Sequence, residues 1–328
     1  MSALLLELRD LSVSFRTDEG TIHAVDRLSW SLEPGEVLGI VGESGCGKSV
    51  SSMALLRLLP PTAVVSGQAL FQGRDLLTAP ASHLRRIRGR EISFVFQEPM
   101  TSLNPVFTVG RQISEVLRRH LDVSRREAAD RAIELLDLVH IPAPGRRVHE
   151  YPHQLSGGMR QRVMIAMALA CDPKILIADE PTTALDVTIQ AGILDLLREL
   201  RERLGTAIVL ITHNLGVVAD IADRVLVMYA GRKAEEAPAE DLFAAPQHPY
   251  TIGLLDAIPR PGGVGGSGRL QEIAGRVPTL SVLPEACIFA PRCPRADELC
   301  VAGEPPLAAV RPDHAVACIR PGRETAVA

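Results

Sequence analysis

The fold of this 328-residue chain is decided by one stretch, Gly42-Glu43-Ser44-Gly45-Cys46-Gly47-Lys48-Ser49. An apolar run at 37–41 precedes it and an apolar-periodic segment at 50–59 follows it, which predicts a strand, a glycine loop and a helix. Glycines let successive backbone N–H groups turn toward phosphate oxygens, and a helix N-terminus adds partial positive charge there. Lys48 would reach the β- and γ-phosphates, and the Ser49 hydroxyl would ligate Mg²⁺. The stretch therefore predicts a nucleoside triphosphate site, with an ordinary glycine-rich turn as the alternative.

Length and composition limit the class of protein. A chain of 328 residues exceeds the roughly 250–300 at which one hydrophobic core stops growing, so we expect one large domain with an appendage. The net charge of −4 and the pI near 6.2 give no basic face for a phosphate backbone, so nucleic acid is not an expected partner. The uncharged stretch 206–219 is shorter than the roughly 18–20 apolar residues of a membrane span, and the first residues do not resemble a signal peptide. We therefore expect a cytosolic protein.

Two kinds of hydrophobic pattern divide the first half of the chain. Short alternating segments at 5–38, separated by turn signals, predict a small antiparallel β lobe that leads into the glycine loop. Helix-period segments at 109–119 and 125–139 predict an inserted helical subdomain at about 98–165.

Helices and strands alternate in the second half. The pattern predicts helices at 158–170 and 187–204 and strands at 175–178 and 207–211. Such alternation is typical of an α/β fold with a parallel sheet, whose ligand lies at the C-terminal ends of the strands.

The regular pattern fades near residue 238. A segment rich in proline and glycine at 259–268 predicts a linker or an exposed loop, and the part that follows it is rich in loops and cysteine. We therefore expect a nucleotide-binding domain at 1–240 and a loop-rich, cysteine-containing C-terminal domain at 241–328.

Two further motifs carry chemistry. An apolar strand followed by Asp179-Glu180 provides Asp179 for the Mg²⁺ shell and Glu180 to orient and deprotonate the attacking water. Leu155-Ser156-Gly157-Gly158 precedes a helical segment, so Ser156 can cap the helix while the glycines expose N–H groups to an anion. Taken alone, the first pattern also suits a turn and the second a simple capped helix.

These motifs, together with Gln97, Ala184-Leu185-Asp186 and Thr212-His213, occur in the order found in ABC ATPases, which this chain resembles from about residue 5 to residue 236. The resemblance implies a P-loop NTPase fold of the ABC type, with ATP and Mg²⁺ as its ligands. It also implies that two such domains bind ATP head to tail, the Leu155-Ser156-Gly157-Gly158 loop of each closing on the glycine loop of the other. A second ABC ATPase subunit is therefore an expected partner.

The same resemblance implies a role for each site residue. The implied catalytic residues are Glu180, His213, Gln97 and Lys48. The implied Mg²⁺ ligands are Ser49, Gln97 and Asp179. Phe15 would stack on adenine and Asp186 would lie at the dimer seam, although from its strand pattern Phe15 also suits the core. The other implied ATP contacts are Gly42, Ser44, Gly45, Cys46, Gly47, Lys48, Ser49, Val50, Ser156, Gly157 and Gly158.

Three segments narrow the resemblance to the oligopeptide/dipeptide importer ATPases, a group that includes nickel importers. They are QEPMTSLNP at 97–105, HPYTIGLL at 248–255 and CIFAPRCP at 287–294. The implied protein is a translocase subunit that hydrolyses ATP to power peptide uptake, peripheral on the cytoplasmic face of the cell inner membrane. The implied partners are two transmembrane permease subunits, a paralogous ATPase in a heterodimer and, indirectly, an extracytoplasmic solute-binding protein. Uptake of nickel or another small solute stays open, as does a non-transport ABC ATPase.

Four of the six cysteines lie close together in the C-terminal part: Cys287, Cys293, Cys300 and Cys318. Four thiolates suit a metal, although the spacing contains no C-x-x-C pair of the kind that zinc ribbons use. The resemblance to importer ATPases, some of which hold such a cluster, favours a [4Fe–4S] cluster. Zn²⁺, metal-free thiols and a disulfide are the alternatives.

Overall fold

The structure, a computed structural model, describes residues 4–97, 102–182, 186–258 and 273–322. The predicted linker at 259–268 lies outside these ranges, and so do residues 98–101 of the importer-like segment and Ala184-Leu185. In the ranges described, no helix has both the length and the apolar character that crossing a membrane requires.

Strands and helices are labelled here in chain order. The strands are β1 (Leu6–Thr17), β2 (Gly20–Leu32), β3 (Val37–Val41), β4 (Ala63–Phe71), β5 (Arg74–Asp75), β6 (Ile92–Val95), β7 (Ile175–Asp179), β8 (Ala207–Thr212), β9 (Arg224–Tyr229), β10 (Arg232–Pro238), β11 (Ala308–Arg311) and β12 (His314–Val316). The α-helices are α1 (Lys48–Leu55), α2 (Ala81–Ile87), α3 (Val109–His120), α4 (Arg125–Leu138), α5 (Pro144–Arg147), α6 (Gly157–Leu169), α7 (Val187–Leu204), α8 (Leu215–Ile221), α9 (Ala239–Ala244), α10 (Pro249–Asp256) and α11 (Glu298–Ala302).

The predicted antiparallel lobe is confirmed. Its four strands lie in the order β2-β1-β4-β5, and β1 pairs antiparallel with both β2 and β4. In β1 the buried side chains are Leu6 and Leu8, then Leu11 and Val13. The step of three residues falls at a shift in strand register, where Asp10 has φ 48°. The bulge therefore keeps both apolar pairs on the same, core-facing side.

An eight-stranded sheet forms the centre of the molecule. Its order is β11-β12-β10-β9-β3-β8-β7-β6, and the five strands from β9 to β6 are parallel. Side chains of β7 alternate between two cores: Leu176 and Ala178 pack with the helical subdomain, and Ile175 and Ile177 with the β lobe. Burial on both faces explains why β3, β7 and β8 are continuous apolar runs.

The helical subdomain begins its two main helices at polar caps. Thr108 Oγ1 accepts a hydrogen bond from Arg111 N at 3.4 Å, at the start of α3. Ser124 and Glu127 form a capping box at the start of α4, with distances of 3.2 and 2.7 Å. Both helices agree to within one residue with the bounds predicted from the sequence.

The C-terminal part adds to the same sheet, because β12 pairs antiparallel with β10 and with β11. Glu235 of β10, which is fully buried, joins the pieces. Its carboxylate accepts hydrogen bonds from the backbone N–H groups of Gln247 at 2.7 Å and His248 at 2.8 Å, and its Oε1 lies 2.7 Å from His314 Nε2. These contacts connect β10, the start of α10 and β12. The boundary at residue 240 between a nucleotide-binding domain and a C-terminal domain stays a prediction.

Acid should weaken the fold through His248. Its Nδ1 accepts a hydrogen bond from Tyr250 N at 3.0 Å and so caps α10 as a neutral ring. Burial, aided by the charge of Arg295, lowers the pKa of His248 from 6.5 to about 3. Between these values the unfolded chain binds a proton that the folded chain does not. Stability is therefore lost as pH falls, by about 1.4 kcal/mol per pH unit for one proton.

The variant His248→Asn keeps a side-chain acceptor at the cap but does not titrate. Urea unfolding at several pH values between 6.5 and 4 should give a shallower fall in unfolding free energy for this variant than for the wild type. Equal slopes for the two proteins would contradict the assignment.

Candidate active site

The glycine loop between β3 and α1 requires glycine at two positions. Gly42 has φ 153° and Gly47 has φ 98°, both values that side chains other than glycine rarely adopt. A Cβ at Gly42 would lie 2.3 Å from the carbonyl oxygen of Met228, and one at Gly47 would lie 2.3 Å from that of Ala24. The loop is therefore pressed against β9 and β2.

Lys48, the first residue of α1, folds back across this loop. Its Nζ donates to the carbonyl oxygens of Gly42 at 2.7 Å and Glu43 at 2.9 Å, and the residue is 5% exposed. Cys46 Sγ lies 3.7 Å from the same Nζ, and burial raises the pKa of its thiol. Cys46 therefore stays protonated at neutral pH and forms no ion pair with Lys48.

Ser49 and Asp179 meet beside the loop. Ser49 Oγ donates to Asp179 Oδ1 at 2.9 Å, where β7 ends. Burial raises the pKa of Asp179, and the hydrogen bond from Ser49 opposes this shift. Hydroxyl and carboxylate oxygens are ligands that Mg²⁺ takes, and a divalent cation would offset the cost of burying the carboxylate charge. These two residues therefore fit a magnesium ion.

Glu180 is held from two sides. Gln97 Nε2 donates to its Oε2 at 2.8 Å, and His213 Nδ1 lies 3.2 Å from its Oε1. Gln97, Glu180 and His213 each follow the end of a strand, and β6, β7 and β8 are parallel neighbours, so their ends meet at one edge of the sheet. Glu180 has φ 47° and its N–H donates to Ile211 O at 2.8 Å. The sheet itself therefore fixes the position of this carboxylate.

The loop and these three side chains face one cavity of about 510 Å³. Its lining residues are Gly42, Glu43, Ser44, Gln97, Glu180, His213 and Leu254. The structure thus brings together the phosphate loop and the three predicted catalytic side chains at the ends of β6, β7 and β8. Leu254 comes from α10, so the C-terminal part also borders this space.

The predicted Ser156 loop lies elsewhere. Ser156 Oγ accepts a hydrogen bond from Met159 N at 3.3 Å and caps α6, and Asp186 Oδ1 accepts one from Ile189 N at 2.9 Å and caps α7. A Cβ at Gly158 would lie 2.7 Å from Ile189 Cγ2, so the two helix starts are in contact. Ser156, Gly157 and Asp186 are exposed and do not line the cavity.

Phe15 is half-buried near the end of β1. It pairs with Ile22 of β2 and Ala63 of β4 and packs against the apolar core of the lobe. It does not line the cavity beside the loop. Its predicted stacking on adenine stays a prediction, as do the roles of the other site residues.

The prediction of a [4Fe–4S] cluster is wrong. Among the residues that the structure describes, no three or more His, Cys, Asp or Glu side chains form a group able to hold a metal ion. The four C-terminal cysteines line a cavity of only about 20 Å³, which is room for about one water. The same findings leave the Zn²⁺ alternative without support.

Sequence reasoning missed three residues at the loop. Arg292 pairs with the carboxylate of Glu43 at 2.7 and 2.9 Å, and Tyr250 Oη accepts a hydrogen bond from Glu43 N at 2.8 Å. Tyr250 and Arg292 lie within the importer-like segments at 248–255 and 287–294. The two segments could have pointed to Tyr250 and Arg292 as functional residues. The sequence does not show that these residues contact Glu43.

Comparison with known proteins agrees with this geometry. The family model "ABC transporter" matches residues 25–183, and "Oligopeptide/dipeptide transporter, C-terminal region" matches residues 234–300. The oligopeptide transport ATP-binding protein OppD of Salmonella typhimurium is 52% identical over 98% of this chain and 95% of that protein. OppD of Escherichia coli is 51% identical over 98% of this chain and 94% of that protein.

This chain is also similar to a solved structure of the ATP-binding cassette MJ0796, which is a dimer in a post-hydrolysis state bound to ADP and Pi. It has a TM-score of 0.65 and 30% identity and covers 71% of this chain and 98% of that chain. The fold and the site define an ABC-type P-loop ATPase. The chain belongs to the ABC transporter family, in the branch of oligopeptide/dipeptide ATP-binding subunits. ATP is accordingly its substrate and Mg²⁺ its cofactor.

The close contact between Gly158 and Ile189 yields a stability test. Gly158→Ala should lower the unfolding free energy by about 1–3 kcal/mol because the new Cβ overpacks the contact. Ile189→Ala removes the clashing atoms, so the double variant should lose less than the sum of the two single losses. Denaturant unfolding of the full chain measures this. Gly145→Ala, which meets no atom within 4 Å, should not lose stability. Strictly additive losses would show that the two residues do not press on each other.

Proposed function

We propose that this chain is the ATP-hydrolysing subunit of an importer that moves oligopeptides or dipeptides through a membrane permease. The observation that carries ATP hydrolysis is the Glu180 carboxylate, held by Gln97 and His213 in the cavity that the phosphate loop borders. The peptide substrate is supported by the C-terminal family match and by relatives described as oligopeptide transport ATP-binding proteins.

In this proposal the triphosphate binds the glycine loop. Backbone N–H groups of the loop and the start of α1 would contact the phosphates, and Lys48 would neutralise charge on the β- and γ-phosphates. The other contacts are proposed for Gly42, Ser44, Gly45, Cys46, Gly47 and Val50, with Phe15 on the adenine. Ser49, Asp179 and Gln97 would hold Mg²⁺, which when bound supplies positive charge to the phosphate oxygens.

Glu180 acts on the attacking water. Its carboxylate orients the water and accepts its proton as the water oxygen bonds to the γ-phosphorus and the bond to ADP breaks. The contacts at 2.8 Å to Gln97 and 3.2 Å to His213 fix the carboxylate before the reaction, so little reorganisation is needed. His213 would also contact the γ-phosphate.

A second ATPase subunit completes the site. Ser156, Gly157 and Gly158 do not line the cavity of their own chain, while Ser156 and Gly157 are exposed at the start of α6. We infer that this helix start faces the γ-phosphate held by a partner, with Asp186 at the seam. The similar cassette MJ0796 was solved as a dimer, which supports the same arrangement here. We propose a paralogous partner and therefore a heterodimer.

Two permease subunits are the proposed membrane partners, and an extracytoplasmic binding protein would deliver the solute to them. Val109 N donates to Glu150 O at 2.9 Å, which brings exposed Val106 and Tyr151 to the same part of the helical subdomain. We propose that these two exposed side chains contact a short helix of the permease. The subunit would then be peripheral on the cytoplasmic face of the membrane. We also propose that its two domains comprise residues 1–240 and 241–328.

Reconstitution of the assembled importer tests this proposal. In vesicles that contain this chain, its second ATPase and the permease, oligopeptide with the binding protein should raise ATP hydrolysis and be transported. Glu180→Gln should keep ATP binding but lower turnover by about 10²–10⁴-fold, because the proton acceptor is lost. Glu202→Gln, an exposed acid on α7, is the matched control and should keep both activities. If nickel but not peptides stimulated ATP hydrolysis, the proposal that peptides are the transported substrate would be refuted. Full turnover in Glu180→Gln would refute the role of Glu180.

A further inference from the structure

Glu43, the second residue of the phosphate loop, has contacts at its backbone N–H, its carbonyl and its carboxylate. Its carbonyl oxygen accepts from Lys48 Nζ at 2.9 Å. Its N–H donates to Tyr250 Oη at 2.8 Å, and its carboxylate receives two hydrogen bonds from Arg292, at 2.7 and 2.9 Å. The C-terminal part of the chain thus holds both the main chain and the side chain of one loop residue.

These two C-terminal residues are themselves held firmly. Tyr250 is fully buried, and three rings pack edge to face or tilted: Tyr229 to Tyr250 at 4.8 Å, Tyr229 to Phe289 at 5.0 Å and Tyr250 to Phe289 at 5.4 Å between centroids. We call Tyr229, Tyr250 and Phe289 the aromatic anchor. It joins β9, which contacts the loop through Met228, to the two importer-like segments.

Arg292 lies against this anchor. Its guanidinium carbon is 5.6 Å from the centroid of the Tyr229 ring, and its side chain is 6% exposed. It also donates to the carbonyl oxygens of Ala274 at 2.8 Å and Ile273 at 3.2 Å. The paired carboxylate of Glu43 raises the pKa of Arg292, which stays charged. A guanidinium fixed in this way presents its planar fork to Glu43 in one orientation.

The loop needs such support because glycine gives it little stiffness of its own. Gly42 and Gly45 flank Glu43 and Ser44, and both have positive φ. A flexible loop must lose backbone entropy when it orders its N–H groups around phosphates, and this loss weakens binding. A loop that is already fixed at Glu43 avoids part of that loss.

We propose that Arg292 and Tyr250 are positioning residues for ATP: through Glu43 they fix the phosphate loop, so that the C-terminal segment sets the affinity of the active site for nucleotide. This inference rests on the ATP site described above and not on the identity of the transported solute. It assigns a function to the segments at 248–255 and 287–294 that the hydrolysis reaction leaves unused.

Three conservative variants of the full-length chain test the proposal. Tyr250→Phe removes the hydroxyl that accepts from Glu43 N–H. Arg292→Lys keeps the charge but loses the bidentate pair, and Glu43→Gln removes the charge of the carboxylate. Each should raise the dissociation constant of Mg·ATP by about tenfold, with a similar rise in KM and little change in kcat in the assembled importer. The double variant Glu43→Gln/Arg292→Lys should bind Mg·ATP about as tightly as the single variant with the lower affinity, because both changes break the same interaction.

The control must disturb the same segment without touching the loop. Arg320→Lys serves this purpose, since exposed Arg320 pairs with half-buried Asp297 within the C-terminal part, and it should bind Mg·ATP like the wild type. Thermal unfolding of every variant separates a change in affinity from a loss of fold, and Tyr250→Phe remains informative if Arg292→Lys unfolds. Wild-type affinity in folded Tyr250→Phe and Arg292→Lys would overturn the proposal, and so would an equal loss in Arg320→Lys. A wild-type chain that binds no Mg·ATP would instead refute the proposed function.

Discussion

The structure depends on how closely the phosphate loop is packed between two strands. The backbone of Gly42 lies against the Met228 carbonyl of β9, and that of Gly47 against the Ala24 carbonyl of β2, with no room for a Cβ at either place. Lys48 then crosses the loop from the first turn of α1. The shape of the loop therefore depends on contacts with both the central sheet and the antiparallel lobe, and the loop in turn sets where a triphosphate can lie.

The chemistry follows from the direction of the strands around that loop. Parallel strands place Gln97, Glu180 and His213 at one edge of the sheet, although they are far apart in sequence, and their mutual hydrogen bonds fix the carboxylate. The second helix start, at Ser156, is capped and exposed on another part of the molecule. In the proposed pair of ATPase subunits, this exposed helix start would complete the site of the second subunit. The C-terminal part also stabilises the loop, because Arg292 and Tyr250 both form hydrogen bonds with Glu43.

The features of the structure that could be predicted from the sequence were those set by neighbouring residues or by a regular hydrophobic period. The glycine loop, the helices of the subdomain and the strand that ends at Asp179 are encoded by neighbouring residues, and the predictions for them were confirmed. The pair of Glu43 and Arg292 spans 249 positions, and nothing near either residue indicates the other. The strands β11 and β12 are too short to show a period, so the tail looked less regular than it is. The cysteines were close in sequence, but the small size of the cavity that they line, which argues against a metal, depends on tertiary packing.

We propose that ATP binds at the loop that Lys48 closes. Calorimetric titration of Mg·ATP into the full-length chain tests this, with Lys48→Ala beside Lys174→Ala, a change of an exposed lysine just before β7. Lys174→Ala should bind Mg·ATP with wild-type affinity. Lys48→Ala should lose affinity on the order of a hundredfold, because the ammonium contact to phosphate is removed. Equal affinity in the two variants would contradict it.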